Sequence, residues 1–128
     1  KVEHSKEYLE IVDDAKTRIR EVTVAETLER QAAGALLVDV REDIEWDAGH
    51  AAGSVHMGRG IIERDIVQTY PDKAAELILY CGGGYRSALA ADMLQKMGYS
   101  NVASMAGGWK AWNEADAPTE QGDTSDGR

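Results

Sequence analysis

One stretch restricts the folding of this chain more than any other: Leu77 to Gly98. It opens with the apolar run Leu77-Ile78-Leu79-Tyr80 and continues as Cys81-Gly82-Gly83-Gly84-Tyr85-Arg86. It ends in a helical pattern from Ser87 to Met97, closed by Gly98. The run reads as a strand and the pattern as a helix, so the glycines between them must turn the chain. Three consecutive glycines let the backbone curl, including into positive φ. A curled loop at a helix N-terminus turns free N–H groups inward and adds the positive end of the helix dipole. Cys81, the only cysteine, stands at the base of that anion cradle. A thiol so placed is expected to have a lowered pKa and to be nucleophilic. The competing reading is a small core residue. Three glycines in a row cost conformational order that a core cysteine does not require, which favours the reactive reading.

Strand and helix patterns alternate on both sides of this unit. Tyr8, Ile11, Val12, Ala15 and Ile19 recur at helical spacing, so residues 1–19 are expected to form an amphipathic helix. Its stripe either packs on its own domain or offers a contact to a partner or second copy, giving a monomer or a weak homodimer. Arg20-Glu21-Val22 reads as an edge strand. Thr23 and Glu26 form a capping box that starts a helix running to about Ala33, with Gly34 as its stop. Ala35-Leu36-Leu37-Val38 shows no alternation, the mark of a strand in a parallel sheet, and ends at Asp39-Val40-Arg41. Glu42 to Gly49 reads as a short helical turn, His50 to Gly53 as a loop and Ser54 to His56 as a strand. Ile61 to Val67 reads as a helix, and Asp72 as the cap of another short one through Glu76. Asn101 to Met105 is a further strand. Gly107-Gly108 starts a last helix carrying Trp109 and Trp112, which Pro118 ends. Thr119 to Arg128 is expected to be a disordered tail.

This order predicts an α/β three-layer sandwich, a mostly parallel five-stranded sheet flanked by helices over residues 20–118. Ligands in such folds bind at the carboxyl ends of strands. Cys81 lies at one such end, and Asp39 and Arg41 at another.

Composition narrows the functions. With 14 basic against 23 acidic residues, net −9, the chain lacks the basic footprint of a nucleic-acid binder and is repelled by anionic membranes. No run approaches a membrane span, and no secretory signal pattern is visible. A lone cysteine makes no internal disulfide and suits a reducing, cytoplasmic setting. His4, His50 and His56 lack metal-ligand spacing and one cysteine cannot complete a structural zinc site, so neither metal nor cofactor is expected. His50 reads as a structural histidine bonded to backbone. Arg59 reads as a solvated arginine, and Trp46, Trp109 and Trp112 as core or rim packing. Tyr85, in a tight loop, is expected near the pocket entrance.

Three groups of residues together resemble a known family. Leu37-Val38-Asp39-Val40-Arg41-Glu42, with Glu45-Trp46, Gly49-His50 and Gly53-Ser54, is similar to the first signature of rhodanese-like domains. Leu79-Tyr80-Cys81 through Arg86-Ser87-Ala88 is similar to their active-site loop. Gly98-Tyr99 through Val102, with Gly107-Gly108-Trp109-Lys110-Ala111-Trp112, is similar to their closing signature. The resemblance runs from about Arg20 to Pro118. Ala51-Ala52 departs from it, where the family often has an aliphatic residue and proline.

The resemblance implies a single-domain sulfurtransferase. Cys81 would attack a donor such as thiosulfate or a persulfide and keep the outer sulfur as its own persulfide. A thiol acceptor, or cyanide, would then remove it. The amides of Gly82, Gly83, Gly84, Tyr85, Arg86 and Ser87 are expected around the terminal sulfur. Arg86 would supply a charge for an anionic donor, hold loop carbonyls, or both. Asp39 and Arg41 are read mainly as braces of the loop by hydrogen bonding. One arginine is little charge for a dianion, so thiosulfate is expected to be a weaker donor than a protein or low-molecular-weight persulfide.

Two other functions compete. Cysteine phosphatases and arsenate reductases resemble this loop but place five residues between cysteine and arginine. Four stand here, Gly82 to Tyr85, and a smaller ring fits one sulfur better than a phosphoryl group. Non-enzymatic rhodanese-like modules serve regulation or binding and usually lack the loop cysteine, which this chain has.

Overall fold

The computed structural model describes residues 3–122. In chain order its elements are α1 (Lys6–Lys16), β1 (Arg20–Val22), α2 (Val24–Ala32), β2 (Leu36–Asp39), α3 (Asp43–Ala48), β3 (His50–Ala51) and β4 (Val55–His56). There follow α4 (Ile62–Thr69), β5 (Leu77–Tyr80), α5 (Tyr85–Lys96), β6 (Val102–Met105), α6 (Gly108–Glu114) and β7 (Thr119–Glu120). The main sheet has the order β1-β6-β5-β2-β4, and all its pairings are parallel. β5 is central, with Leu79 opposite Val38 on one side and Ser104 on the other.

Every residue of β5 is buried, because helices cover both faces of the sheet. Successive side chains alternate between two cores. Leu77, Leu79 and Cys81 join Val38, Ile62, Ile66, Ala91 and Leu94, under α4 and α5. Ile78 and Tyr80 join Leu37, Ala103, Met105 and Trp112, under α2 and α6. These are the three layers expected.

Local signals set the helix ends. The Thr23 side chain accepts from the Glu26 amide at 3.0 Å, and Glu26 accepts from the Thr23 amide at 2.8 Å. α1 packs on α5 through the buried Val12 and Ala15. Arg18, just past α1, donates to both carboxylate oxygens of Asp92 on α5, at 2.9 and 2.8 Å. The stripe is narrower than its spacing suggested, since Ile11 is 54% exposed. Lys1 and Val2 lie outside the described residues.

Two expectations need correction. His50 and Ala51 are not loop: as β3 they pair antiparallel with β7, so the expected tail begins with a short ribbon. The remaining tail residues, 123–128, lie outside those described. No helix follows Asp72. Its carboxylate accepts from the Ala74 amide at 2.9 Å, and the chain turns directly into β5. Five residues are too few to repay helix nucleation without an apolar face to bury. No helix among the described residues is long and apolar enough to cross a membrane.

Candidate active site

Cys81 follows β5 at its carboxyl end, and α5 begins four residues later. Gly84, the N-cap of α5, has φ 101°, a left-handed conformation that glycine adopts without strain. That turn aims the Gly84 amide at Cys81 Sγ, 3.2 Å away, and the Ser87 amide from the first turn of α5 donates to it at 3.3 Å. Ser87 Oγ lies 3.4 Å from the sulfur and 2.8 Å from Ser104 Oγ. Of the six loop amides singled out in the sequence, those of Gly84 and Ser87 reach Sγ itself. Ser104, on β6, is a contributor that nothing in the sequence marks.

The other side of the loop is held by α6. The Trp109 amide donates to the Cys81 carbonyl at 2.7 Å and the Lys110 amide to the Gly82 carbonyl at 3.2 Å. Gly108 has φ 53°, and a Cβ there would overlap the Cys81 carbonyl oxygen, so glycine is required on both counts.

Arg86 does not bond loop carbonyls as the sequence allowed. It donates to both carboxylate oxygens of Glu45, at 2.9 and 3.3 Å. Glu45 is fixed in turn, since its Oε1 accepts the Glu42 amide in the capping box of α3. The hydrogen bond from Arg86 holds the Glu45 carboxyl below its usual range, with burial opposing and the Glu42 amide assisting. The same pair raises Arg86, against its desolvation.

Asp39 and Arg41 form a separate buried knot. The Asp39 carboxylate accepts from the Arg41 amide and guanidinium, and from the Tyr80 hydroxyl at 2.6 Å. Arg41 also donates to the Gly49 carbonyl at 2.6 Å and lies over the Trp109 ring at 4.8 Å. The pair therefore reaches the Cys81 loop through neighbours, Tyr80 and Trp109, rather than by direct hydrogen bonds to it. Burial, with the Asp39 charge and hydrogen bond, pushes the Tyr80 hydroxyl well above its ordinary value.

The remaining candidates fall into place around these groups. His50 is fully buried, stacked on Trp46, and its Nδ1–H donates to the Trp46 carbonyl at 2.9 Å. Its Nε2 is 3.4 Å from a Glu120 carboxylate oxygen but lacks hydrogen-bond geometry. Trp46 and Trp112 are core, and Trp109 is partly buried. Arg59 pairs with Glu63 at 2.9 Å rather than standing free in solvent.

Cys81 is 1% exposed, yet it lines an open cavity of about 1150 Å³. Gly82, Gly83, Tyr85, Arg86 and Glu45 line it from the loop side, and Lys110 and Glu114 from α6. Tyr85 stands at its wall beside His4 and Tyr8, from the N-terminal segment. Neither His4 nor Tyr8 was a site candidate in the sequence. A second depression, about 840 Å³, is lined by Arg41, His56, Ile61 and Arg64 and holds no cysteine.

A buried sulfur facing amides at the base of an open cavity is an arrangement for binding one more anionic atom. Against known proteins, the model of the rhodanese-like domain matches residues 23–115. The chain belongs to the rhodanese-like family. Thiosulfate sulfurtransferase GlpE of Haemophilus influenzae is 30% identical over 101 residues, 79% of this chain and 94% of that protein. The protein of the same name in Ectopseudomonas mendocina is 32% identical over 104 residues, 81% and 93% of the two chains. Among solved structures, a Rhodopseudomonas palustris protein, described as of unknown function and a possible tyrosine phosphatase, is 32% identical with a TM-score of 0.75. That alignment covers 94% of this chain and 98% of the other. Thiosulfate sulfurtransferase of Pseudomonas aeruginosa shares the fold, with 24% identity and a TM-score of 0.74 over 81% of this rhodanese-like chain and 20% of its own. The family match begins at Thr23, after α1 and β1.

Proposed function

We propose that this rhodanese-like chain is a sulfurtransferase that carries a sulfane sulfur on Cys81. The observation that carries the reading is the pair of amides, Gly84 and Ser87, donating to Sγ inside a loop that opens on a cavity. In the first half-reaction the Cys81 thiolate attacks the outer sulfur of a donor such as thiosulfate. A new S–S bond forms, the donor's S–S bond breaks, and sulfite leaves with the electron pair. In the second, an acceptor thiolate or cyanide attacks the terminal sulfur of the Cys81 persulfide, and the Cys81 thiolate is the leaving group. Neither step moves a proton, so neither requires a histidine at Sγ. The terminal sulfur is anionic between the two steps. Preorganised N–H donors in a site with little water stabilise such charge by about 2–4 kcal/mol each.

The experiment is intact mass after incubation with thiosulfate. Because Cys81 is the only cysteine, a gain of one sulfur atom that a reductant removes identifies the carrier. Cys81→Ser should gain none while keeping its fold by circular dichroism. Sulfur gain in that variant would move the carrier elsewhere.

A second reading, phosphatase, is favoured by the description of the Rhodopseudomonas palustris relative as a possible tyrosine phosphatase. The four residues between Cys81 and Arg86, and the engagement of Arg86 by Glu45, leave less room and less charge for a phosphoryl group. Turnover of an aryl phosphate without sulfur loading would favour it.

A further inference from the structure

Four features of the Cys81 cavity go beyond what the transfer of sulfur from a small inorganic anion requires. Its volume, about 1150 Å³, exceeds the roughly 300–1,000 Å³ usual for drug-sized ligands. Its one loop cation is already neutralised, because Arg86 is held by Glu45. One wall is aromatic: the His4 ring meets Tyr85 edge-on at 4.7 Å and Tyr8 at 5.2 Å. Opposite charges, Lys110 and Glu114, stand one turn apart on α6, both exposed, and neither is engaged in an ion pair among the described residues.

Two of the three rings in that wall come from the N-terminal segment. His4 and Tyr8 precede the matched residues, and Ser5 caps the helix between them by accepting the Tyr8 amide at 3.1 Å. The helix is held in place independently, by Val12, Ala15 and the Arg18–Asp92 bonds. The residues that anchor α1 are thus distinct from those that face the cavity. Burial and the charge at Cys81 raise the Tyr8 hydroxyl, with Arg86 and Arg59 opposing, which agrees with a side chain turned toward the loop.

We propose that the N-terminal segment is part of the active site, with His4 before α1 and Tyr8 on it selecting the persulfide of a low-molecular-weight aminothiol as sulfur donor. The inference rests on the sulfur-carrier reading above. The substrate is an amino acid or short peptide bearing an ammonium and a carboxylate, with a terminal persulfide. Its carbon skeleton packs on the aromatic wall, and its ammonium is attracted by ring faces and Glu114. Its carboxylate faces Lys110. The chemistry balances as before: the Cys81 thiolate takes the outer sulfur, the donor's S–S bond breaks, and the aminothiol leaves as a thiolate. Thiosulfate can meet Lys110 but neither the aromatic wall nor Glu114, and the one cation of the loop is held by Glu45.

The test compares the rates at which Cys81 gains one sulfur by intact mass, at equal sub-saturating concentrations of glutathione persulfide and thiosulfate. The wild-type protein should load faster from glutathione persulfide. Tyr8→Ala and His4→Ala should each lower the ratio of the two rates by about threefold or more. His4 is exposed and precedes the helix cap, so its variant keeps the test valid if Tyr8→Ala disturbs α1. A wild-type ratio at or below one, or a ratio unchanged in both variants, overturns the proposal. Sulfur loading from thiosulfate alone leaves the carrier reading intact and removes this one. Loading from neither donor removes both.

Discussion

Two arginine–carboxylate pairs stand near the carboxyl edge of the sheet, and they are built differently. Arg41 and Asp39 are 4% and 0% exposed, and Asp39 is further engaged by Tyr80 and by the Arg41 amide. Arg86 and Glu45 are 33% and 35% exposed and line the cavity over Cys81. A buried pair is costly to break, because the abandoned charge has no water to turn to. A half-exposed pair is worth little to stability and exchanges partners readily. The first pair therefore belongs to the scaffold, and the second is a charge held in check at the site.

The largest test of this contrast is Asp39→Asn. It leaves Arg41 buried without its counter-charge, and unfolding free energy by denaturant should fall by about 3–5 kcal/mol. A loss under about 1 kcal/mol would place the two pairs in one class. Glu45→Gln should change unfolding free energy by only about 1 kcal/mol or less. Its visible effect is on donor choice: freeing Arg86 should raise the rate of sulfur loading from thiosulfate by about threefold. An unchanged rate would mean that Arg86 takes no part in donor binding.

The smallest test is by pH. The folded Glu45 carboxyl lies below its ordinary value of 4.5, so its pair stabilises fully above that value. The contribution is lost as pH falls through the lowered folded value. The stability difference between the wild-type protein and Glu45→Gln should therefore be constant above about pH 5 and shrink in more acidic solution. A difference that grows on acidification would contradict the pairing.

What the sequence made legible was local. Thr23 and Glu26 are three residues apart, so the capping box could be read directly. Leu77 to Met97 carried strand, turn and helix in one run, which located the cysteine and the amides around it. What it hid was pairing across distance. Glu45 was visible as part of a signature but not as the partner of Arg86, 41 residues on. His50 and Ala51 carried no mark of their pairing with Glu120 and Thr119, because a two-residue strand has too little pattern to display alternation. His4 and Tyr8 looked like the polar start and the apolar stripe of a helix. Only the packing of α1 on α5 turns them toward the cysteine, and no spacing within α1 encodes that direction.

The hold of Trp109 and Lys110 on the carbonyls of Cys81 and Gly82 bears on how the protein is born. Synthesis proceeds from the N-terminus, so the thiol emerges from the ribosome well before the segment that clasps its loop. Until residues 108–110 follow, the nascent polypeptide carries an unclasped sulfur. The shape of the loop is thus completed only when nearly all of the domain is available to fold, and a polypeptide interrupted before Gly108 carries Cys81 without the clasp that shapes its surroundings.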